Sequence, residues 1–144
     1  WMKASKPSTT SGVRRRDNFP YEEPPNGPRY FRMKLRFKPD TVVRVLDPAL
    51  LPGLVQLAMF IQEETGADEV VVTSVNDGVH KSGSLHYEGR AMDLRCRYFA
   101  PPQVQTIVDR FKALYDRDYD LLWEKRGTPL EHLHLELDPG NQNR

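Results

Sequence analysis

The residues 131–137, EHLHLEL, alternate between polar and apolar side chains over their last six positions. Successive side chains of an extended strand point to opposite faces, so this pattern predicts a strand with one apolar and one polar face. Glu131 shares the apolar face with three leucines, and His132, His134 and Glu136 share the other. A chain with such a strand must place an apolar layer against the leucines and leave the histidines at a surface or cleft.

Two segments have apolar residues at helical spacing and predict the helices of that layer. The first is 48–66, in which Gly66 is suited to end a helix. The second is 100–118, which begins with prolines suited to a helix N-terminus. The predicted buried stripes are Leu54, Leu57, Ala58 and Ile61 in the first helix, and Val104, Ile107, Val108, Phe111 and Leu114 in the second.

Further runs predict strands at 29–37, 41–47, 68–75, 89–97 and 119–126, and residues 76–84 have the composition of a loop. Alternation within the fourth run turns Asp93 away from Met92, Leu94 and Cys96. The order of the segments predicts one α+β domain, a mostly antiparallel sheet with helices packed on one side.

The charge of the chain divides it into two parts. Residues 1–38 hold ten Lys and Arg against three Asp and Glu, whereas residues 39–144 hold eleven against seventeen. We expect a basic, Pro-rich arm at 1–28 and a domain at 29–144, because the arm has too few apolar residues to order itself. No apolar run reaches the ~20 residues of a membrane span, and the single cysteine excludes a disulfide framework.

All four histidines lie in or beside two stretches, SGSLHYEGRAMDLR (82–95) and EHLHLEL. A catalytic zinc ion takes three protein ligands, for which imidazole and carboxylate are suitable, and keeps a position for water. His86, Asp93 and His134 form such a set, and His132 would lie beside the metal without binding it. A single histidine is more often an ordinary polar residue, so the prediction depends on the joint pattern.

The motifs SLHYEGRAMDLR and EHLHLEL resemble the zinc peptidases of the D-alanyl-D-alanine carboxypeptidase and L-alanyl-D-glutamate endopeptidase group. They also resemble the Hedgehog signalling domain, which shares the fold and zinc site of these peptidases. The likeness covers roughly residues 50–139 and is greatest to short bacteriophage-type cell-wall peptidases. It implies one Zn²⁺ per chain on His86, Asp93 and His134, with His132 stabilising an oxyanion.

The resemblance leaves two candidates for the carboxylate that activates water. Glu131 lies three residues before the last ligand, where these peptidases keep it, and we prefer it on that ground. Simple alternation turns Glu131 away from the metal, so this assignment requires a bulge after Pro129 to reorient it. The alternative is Glu124, which corresponds to the glutamate of Hedgehog and of several phage enzymes.

The implied substrates are peptidoglycan stem peptides, with Arg90 and His80 as candidate substrate-binding residues. The family's SGxR stretch reads TSVNDG here, without its arginine. Since no apolar signal region is visible, we expect a protein made in the cytoplasm that acts at the bacterial wall or in a phage particle. Arg14, Arg15 and Arg16 would attract any polyanion, including anionic wall polymers, and predict no specific nucleic acid.

Two other functions remain open from the residues. One is a Hedgehog-like interaction module in which zinc is structural and peptide hydrolysis is absent. The other is a nucleic-acid or scaffold-binding protein that works through the basic arm.

Overall fold

The computed structural model describes residues 33–137, so the predicted arm at 1–28, its arginine cluster and the start of the 29–37 strand lie outside the described residues. The described part contains five strands, two α-helices and one 3-10 helix. In chain order they are β1 (Lys34–Phe37), α1 (Leu50–Thr65), β2 (Glu69–Ser74), the 3-10 helix (Leu85–Glu88), β3 (Ala91–Arg95), α2 (Pro101–Tyr115), β4 (Tyr119–Glu124) and β5 (His132–Leu137).

The five strands form one sheet in the order β1-β2-β3-β5-β4. Only β1 and β2 are parallel, and the other three pairs are antiparallel. The predicted α+β domain with a mostly antiparallel sheet is therefore confirmed. The position of β5 between β3 and β4 places the EHLHLEL strand beside the strand of Asp93, although 38 residues lie between Asp93 and His132.

Both helices pack on the face of the sheet that carries the leucines of β5, as predicted. The core between them joins the helix stripes to the inward side chains of the strands, including Leu121, Leu133 and Leu135, which are fully buried. Helix α1 ends at Gly66, whose φ of 75° is left-handed and whose N–H donates to Gln62. The predicted stripe of α2 is correct except at Leu114, which is 66% exposed. The contact surface continues from Phe111 to Tyr115, which packs against the core, so Leu114 lies to one side of it.

Residues 41–47 are irregular, so the strand predicted there was wrong. The backbone N–H of Val42 donates to the side chain of Asp77, and the N–H groups of Arg44 and Val45 donate to Asn76. These side-chain oxygens accept the backbone N–H groups that a neighbouring strand would otherwise bind. The β-branched composition of the segment cannot predict such partners.

The segment 41–47 also packs against the entry of β3. A Cβ at Gly89 would lie 2.4 Å from the carbonyl oxygen of Val45, and the φ of Gly89 is 72°. Only glycine meets both conditions, so the chain can turn here from the 3-10 helix into β3 directly beneath the loop.

Strand β2 contains a bulge beside Asp93. Val72 pairs with Leu94 and Ser74 pairs with Asp93, so two residues of β2 advance while β3 advances one. Consequently Val72 and Val75, three positions apart, are both fully buried. Neither helix of the described range is long and apolar enough to cross a membrane.

Candidate metal centre

The face of the sheet opposite the helices carries a cluster formed by His86, Asp93 and His134. Strands β3 and β5 pair so that Asp93 lies opposite His134. Asp93 Oδ1 is 2.9 Å from His134 Nδ1 and 3.2 Å from His86 Nε2. One potential ligand atom from each residue lies within 4.8 Å of the other two. The structure thus brings together the three residues selected from the sequence, and their donor atoms could hold a metal ion.

His86 is oriented by backbone and side-chain contacts of the preceding loop. Its Nδ1 lies 2.7 Å from the carbonyl oxygen of Val75, and this contact requires the proton on Nδ1. Nε2 is then available toward Asp93. The Asn76 amide donates to the His86 carbonyl at 2.7 Å, and the Ser84 hydroxyl accepts from its N–H at 3.3 Å. Such contacts fix the tautomer and ring direction of metal-binding histidines.

His134 lies between two carboxylates. Its Nδ1 faces Asp93, and its Nε2 is 3.0 Å from Glu136 Oε1. A ring that offers Nδ1 to a metal ion can donate its remaining proton from Nε2 to Glu136, which would strengthen it as a ligand. Glu136 was not among the predicted site residues, although its position two residues after His134 places it on the same face.

The charges of Asp93 and His134 depend on each other. Burial raises the pKa of Asp93, but hydrogen bonds to His134 and His86 outweigh it and hold that pKa well below its usual range. Burial lowers the pKa of His134, whereas the hydrogen bonds to Asp93 and Glu136 raise it, with a net result of about 9. Without a metal ion, the Asp93 carboxylate is therefore balanced by a proton on His134.

His132 and Glu124 extend the cluster along the same face. They are paired across β4 and β5, and Glu124 Oε1 is 3.1 Å from His132 Nε2. The other ring nitrogen, Nδ1, is 2.7 Å from the carbonyl of Leu130, and Nε2 is 3.6 Å from Asp93 Oδ1. Glu124, His132 and His134 form a second group whose ligand atoms lie within 4.8 Å of one another. A carboxylate and a further imidazole thus border the three-residue cluster, as expected of His132.

Glu131 lies on the other side of the hairpin, and no reorientation brings it to the cluster. Its carboxylate accepts from the Trp123 indole at 2.7 Å and from the Gly127 N–H at 3.1 Å. Its oxygen is also 3.9 Å from the buried Cys96 thiol, whose pKa burial and the Glu131 charge raise to about 12. The structure therefore places Glu131 where alternation points it, as an anchor of the turn between β4 and β5. Of the two candidate bases, only Glu124 borders the histidines.

The two candidate substrate-binding residues have different surroundings. The His80 ring stacks on the His86 ring with centroids 3.9 Å apart and planes 8° apart. His80 is further held by Tyr87, whose hydroxyl accepts from the His80 N–H at 2.8 Å. Arg90, in contrast, donates to Asp47 at 3.1 Å. His80 therefore borders the cluster, whereas Arg90 contributes to the contact between β3 and the loop before α1.

Comparison with known proteins gave no match to a family model, to a curated protein or to a solved structure. The likeness to the peptidase and Hedgehog families consequently remains a prediction from the two motifs.

Proposed function

We propose that the protein is a zinc-dependent peptidase that hydrolyses peptide bonds in peptidoglycan stem peptides, in the manner of a phage lysin or virion-associated enzyme. The observation that carries the proposal is the convergence of His86, Asp93 and His134 from three separate segments onto one small volume. Two imidazoles and one carboxylate match the three-ligand sites of catalytic zinc, and a metal with more oxygen preference would select a different set. A zinc ion at this site would act as a Lewis acid that makes water a nucleophile near neutral pH.

In this proposal Glu124 replaces Glu131 as the general base. A general base must lie within hydrogen-bond reach of the proton that it abstracts. Of the two candidates, Glu124 is the one whose carboxylate lies beside His132 at the edge of the cluster. Glu124 would take the proton of the attacking water and return it to the leaving amine. Since its side chain is 44% exposed, it also has the freedom to approach a bound peptide.

His132 would stabilise the negative charge that develops on the substrate carbonyl oxygen. Its Nδ1 faces the Leu130 carbonyl and its Nε2 faces Glu124, so both nitrogens donate when the ring is protonated. A donor held in place before the reaction stabilises a developing oxyanion without reorganisation. The hydrogen bond to Leu130 keeps the ring from rotating away as Glu124 moves.

The proposal is tested by metal analysis and by digestion of purified peptidoglycan. We expect about one zinc per chain, new peptide ends in the mass spectrum of the digest, loss of both on chelation, and recovery when zinc is returned. Metal binding without cleavage of any stem peptide would contradict the proposed peptidase activity.

That outcome would favour a Hedgehog-like interaction module with structural zinc. The observation in its favour is that Glu131, at the peptidase-specific position, is held away from the cluster by Trp123 and Gly127.

A further inference from the structure

A cavity of about 210 Å³ opens beside the strand of Asp93, and it contains an unusual arrangement of charge. Its lining includes Arg36, Glu69, Arg95, Tyr98 and Phe99. The volume exceeds what one water molecule requires, so it could accept a small side chain or a chain terminus.

Arg95 is the cation of this cavity that lacks a carboxylate partner within residues 33–137. Arg36 forms an ion pair with Glu69 across β1 and β2, so those two charges cancel. Arg97 is held by the Pro129 carbonyl and the Tyr98 hydroxyl. Arg95 contacts the Tyr98 ring at 5.8 Å from the centroid. The cavity therefore carries one net positive charge with its donors directed at no acceptor of the described range.

Arg95 also has a defined position relative to the metal cluster. It follows Asp93 by two residues on the same face of β3 and lies opposite His132 in the sheet. Two residues along a strand span roughly 6.5 Å, about the length of two residues of an extended peptide. A peptide with its scissile bond at the cluster could thus place a carboxylate near Arg95 one or two residues away.

We propose that Arg95 and this cavity form a subsite that binds a carboxylate of the substrate peptide. The inference rests on the proposed function and specifies how a stem peptide would be selected. A guanidinium binds a carboxylate with two parallel hydrogen bonds, which gives direction as well as affinity. Two carboxylates fit this chemistry, the C-terminal carboxylate of a D-Ala-D-Ala ending and the free carboxylate of D-glutamate.

Four synthetic stem peptides distinguish these sources: one with both carboxylates free, one amidated at the C-terminus, one with D-isoglutamine in place of the γ-linked D-glutamate, and one with both changes. For zinc-loaded wild type, we expect one of the single changes to lower kcat/KM on the order of 10- to 100-fold, the range for hydrogen bonds to a charged group. Arg95→Gln should reduce this discrimination to nearly one, and Arg95→Lys should retain part of it. The control is Arg117→Gln, which removes an exposed arginine in the turn after α2 and should discriminate as wild type does.

Equal hydrolysis of all four peptides by wild type, or undiminished discrimination by Arg95→Gln, would overturn the subsite while leaving the peptidase intact. If wild type hydrolyses none of them, the proposed function fails, and dissociation constants of the same peptides decide about the subsite. The subsite is then supported if wild type binds a peptide with one free carboxylate more tightly than its amide and Arg95→Gln does not. It is refuted if the two proteins bind alike or neither binds.

Discussion

The two faces of strand β5 obey different physical rules. Leu133, Leu135 and Leu137 on one face are at most 4% exposed and pack into the core beneath the helices. His132 and His134 on the other face are matched atom by atom to Asp93, Glu124 and the Leu130 carbonyl. Apolar packing is nondirectional, so another apolar residue of similar volume can replace a leucine. Each polar contact, in contrast, needs a particular partner. The helix-covered face therefore provides stability, and the opposite face provides a specific arrangement of charge.

The polar face carries buried charge, which must be neutralised by a nearby partner. The apolar face has no such requirement. Asp93 is 9% exposed, and a buried carboxylate is costly unless it is paired. Three imidazoles lie within 3.6 Å of its Oδ1. A proton on His134 can neutralise it, and so can a metal ion among the same atoms. The cluster thus has two compensated states, which the following experiments separate from core stability.

Asp93→Ala should have the largest effect. It removes the carboxylate that contacts both His86 and His134, so we expect most of the bound metal and all measurable peptidase activity to be lost. Metal content by elemental analysis, with activity on peptidoglycan, measures this. Glu88→Ala, an exposed carboxylate of the 3-10 helix, is the control and should keep its metal. Full zinc occupancy in the Asp93 variant would refute the proposed ligand set.

Glu124→Gln and Glu131→Gln compare a carboxylate on each face of one hairpin. Loss of a general base typically costs ~10²–10⁴-fold in rate, and we expect that loss for Glu124→Gln with zinc retained. Glu131→Gln should keep most activity but lower stability by about 1–2 kcal/mol, since its carboxylate holds the Trp123 indole and the Gly127 N–H. Steady-state kinetics and urea unfolding measure the two effects. An active Glu124 variant with an inactive Glu131 variant would reverse the assignment.

Leu135→Ala tests the helix-covered face alone. Leu135 is fully buried, and truncation of such a leucine costs about 2–5 kcal/mol of unfolding free energy. Leu122→Ala is the matched control, because Leu122 lies in β4 opposite His134 on the polar face and is 39% exposed. We expect the control to lose much less stability in chemical denaturation of the metal-free proteins. Equal losses would show that the polar face also behaves as a core.

A rise in pH should lower the stability of the metal-free protein and raise its affinity for zinc. The pKa of His134 rises from 6.5 to about 9 on folding. Its contribution to metal-free stability is complete below pH 6.5 and disappears as the pH rises through 9. Asp93 contributes above its unfolded pKa of 3.8 and loses that contribution as the pH falls.

Zinc must displace the His134 proton, so its affinity should rise roughly tenfold per pH unit between about pH 7 and 9. Zinc titrations in buffers of different ionisation enthalpy count the released proton. Thermal unfolding of the metal-free protein over the same range measures the opposite trend. Zinc affinity that does not change over this range would contradict a proton shared between His134 and Asp93.

Local patterns predicted most elements because their periods reflect backbone geometry. The stripe of α1 and the alternation of β3 and β5 were confirmed, and so was the loop at 76–84. The strand predicted at 41–47 failed because Asn76 and Asp77, more than thirty residues later, satisfy its backbone. The bulge in β2 was equally invisible, since it depends on pairing with β3 and not on its own valines.

For β3 and β5, the sequence by itself determined which side chains share a face. Alternation alone separated His132 and His134 from the leucines, and it also turned Glu131 away from them. Only the tertiary structure decided which residues meet on that face, namely Asp93 opposite His134 and Glu124 opposite His132. The reason is that alternation follows from the geometry of a single strand, whereas register minimises the free energy of the whole sheet, with its bulge, turns and core.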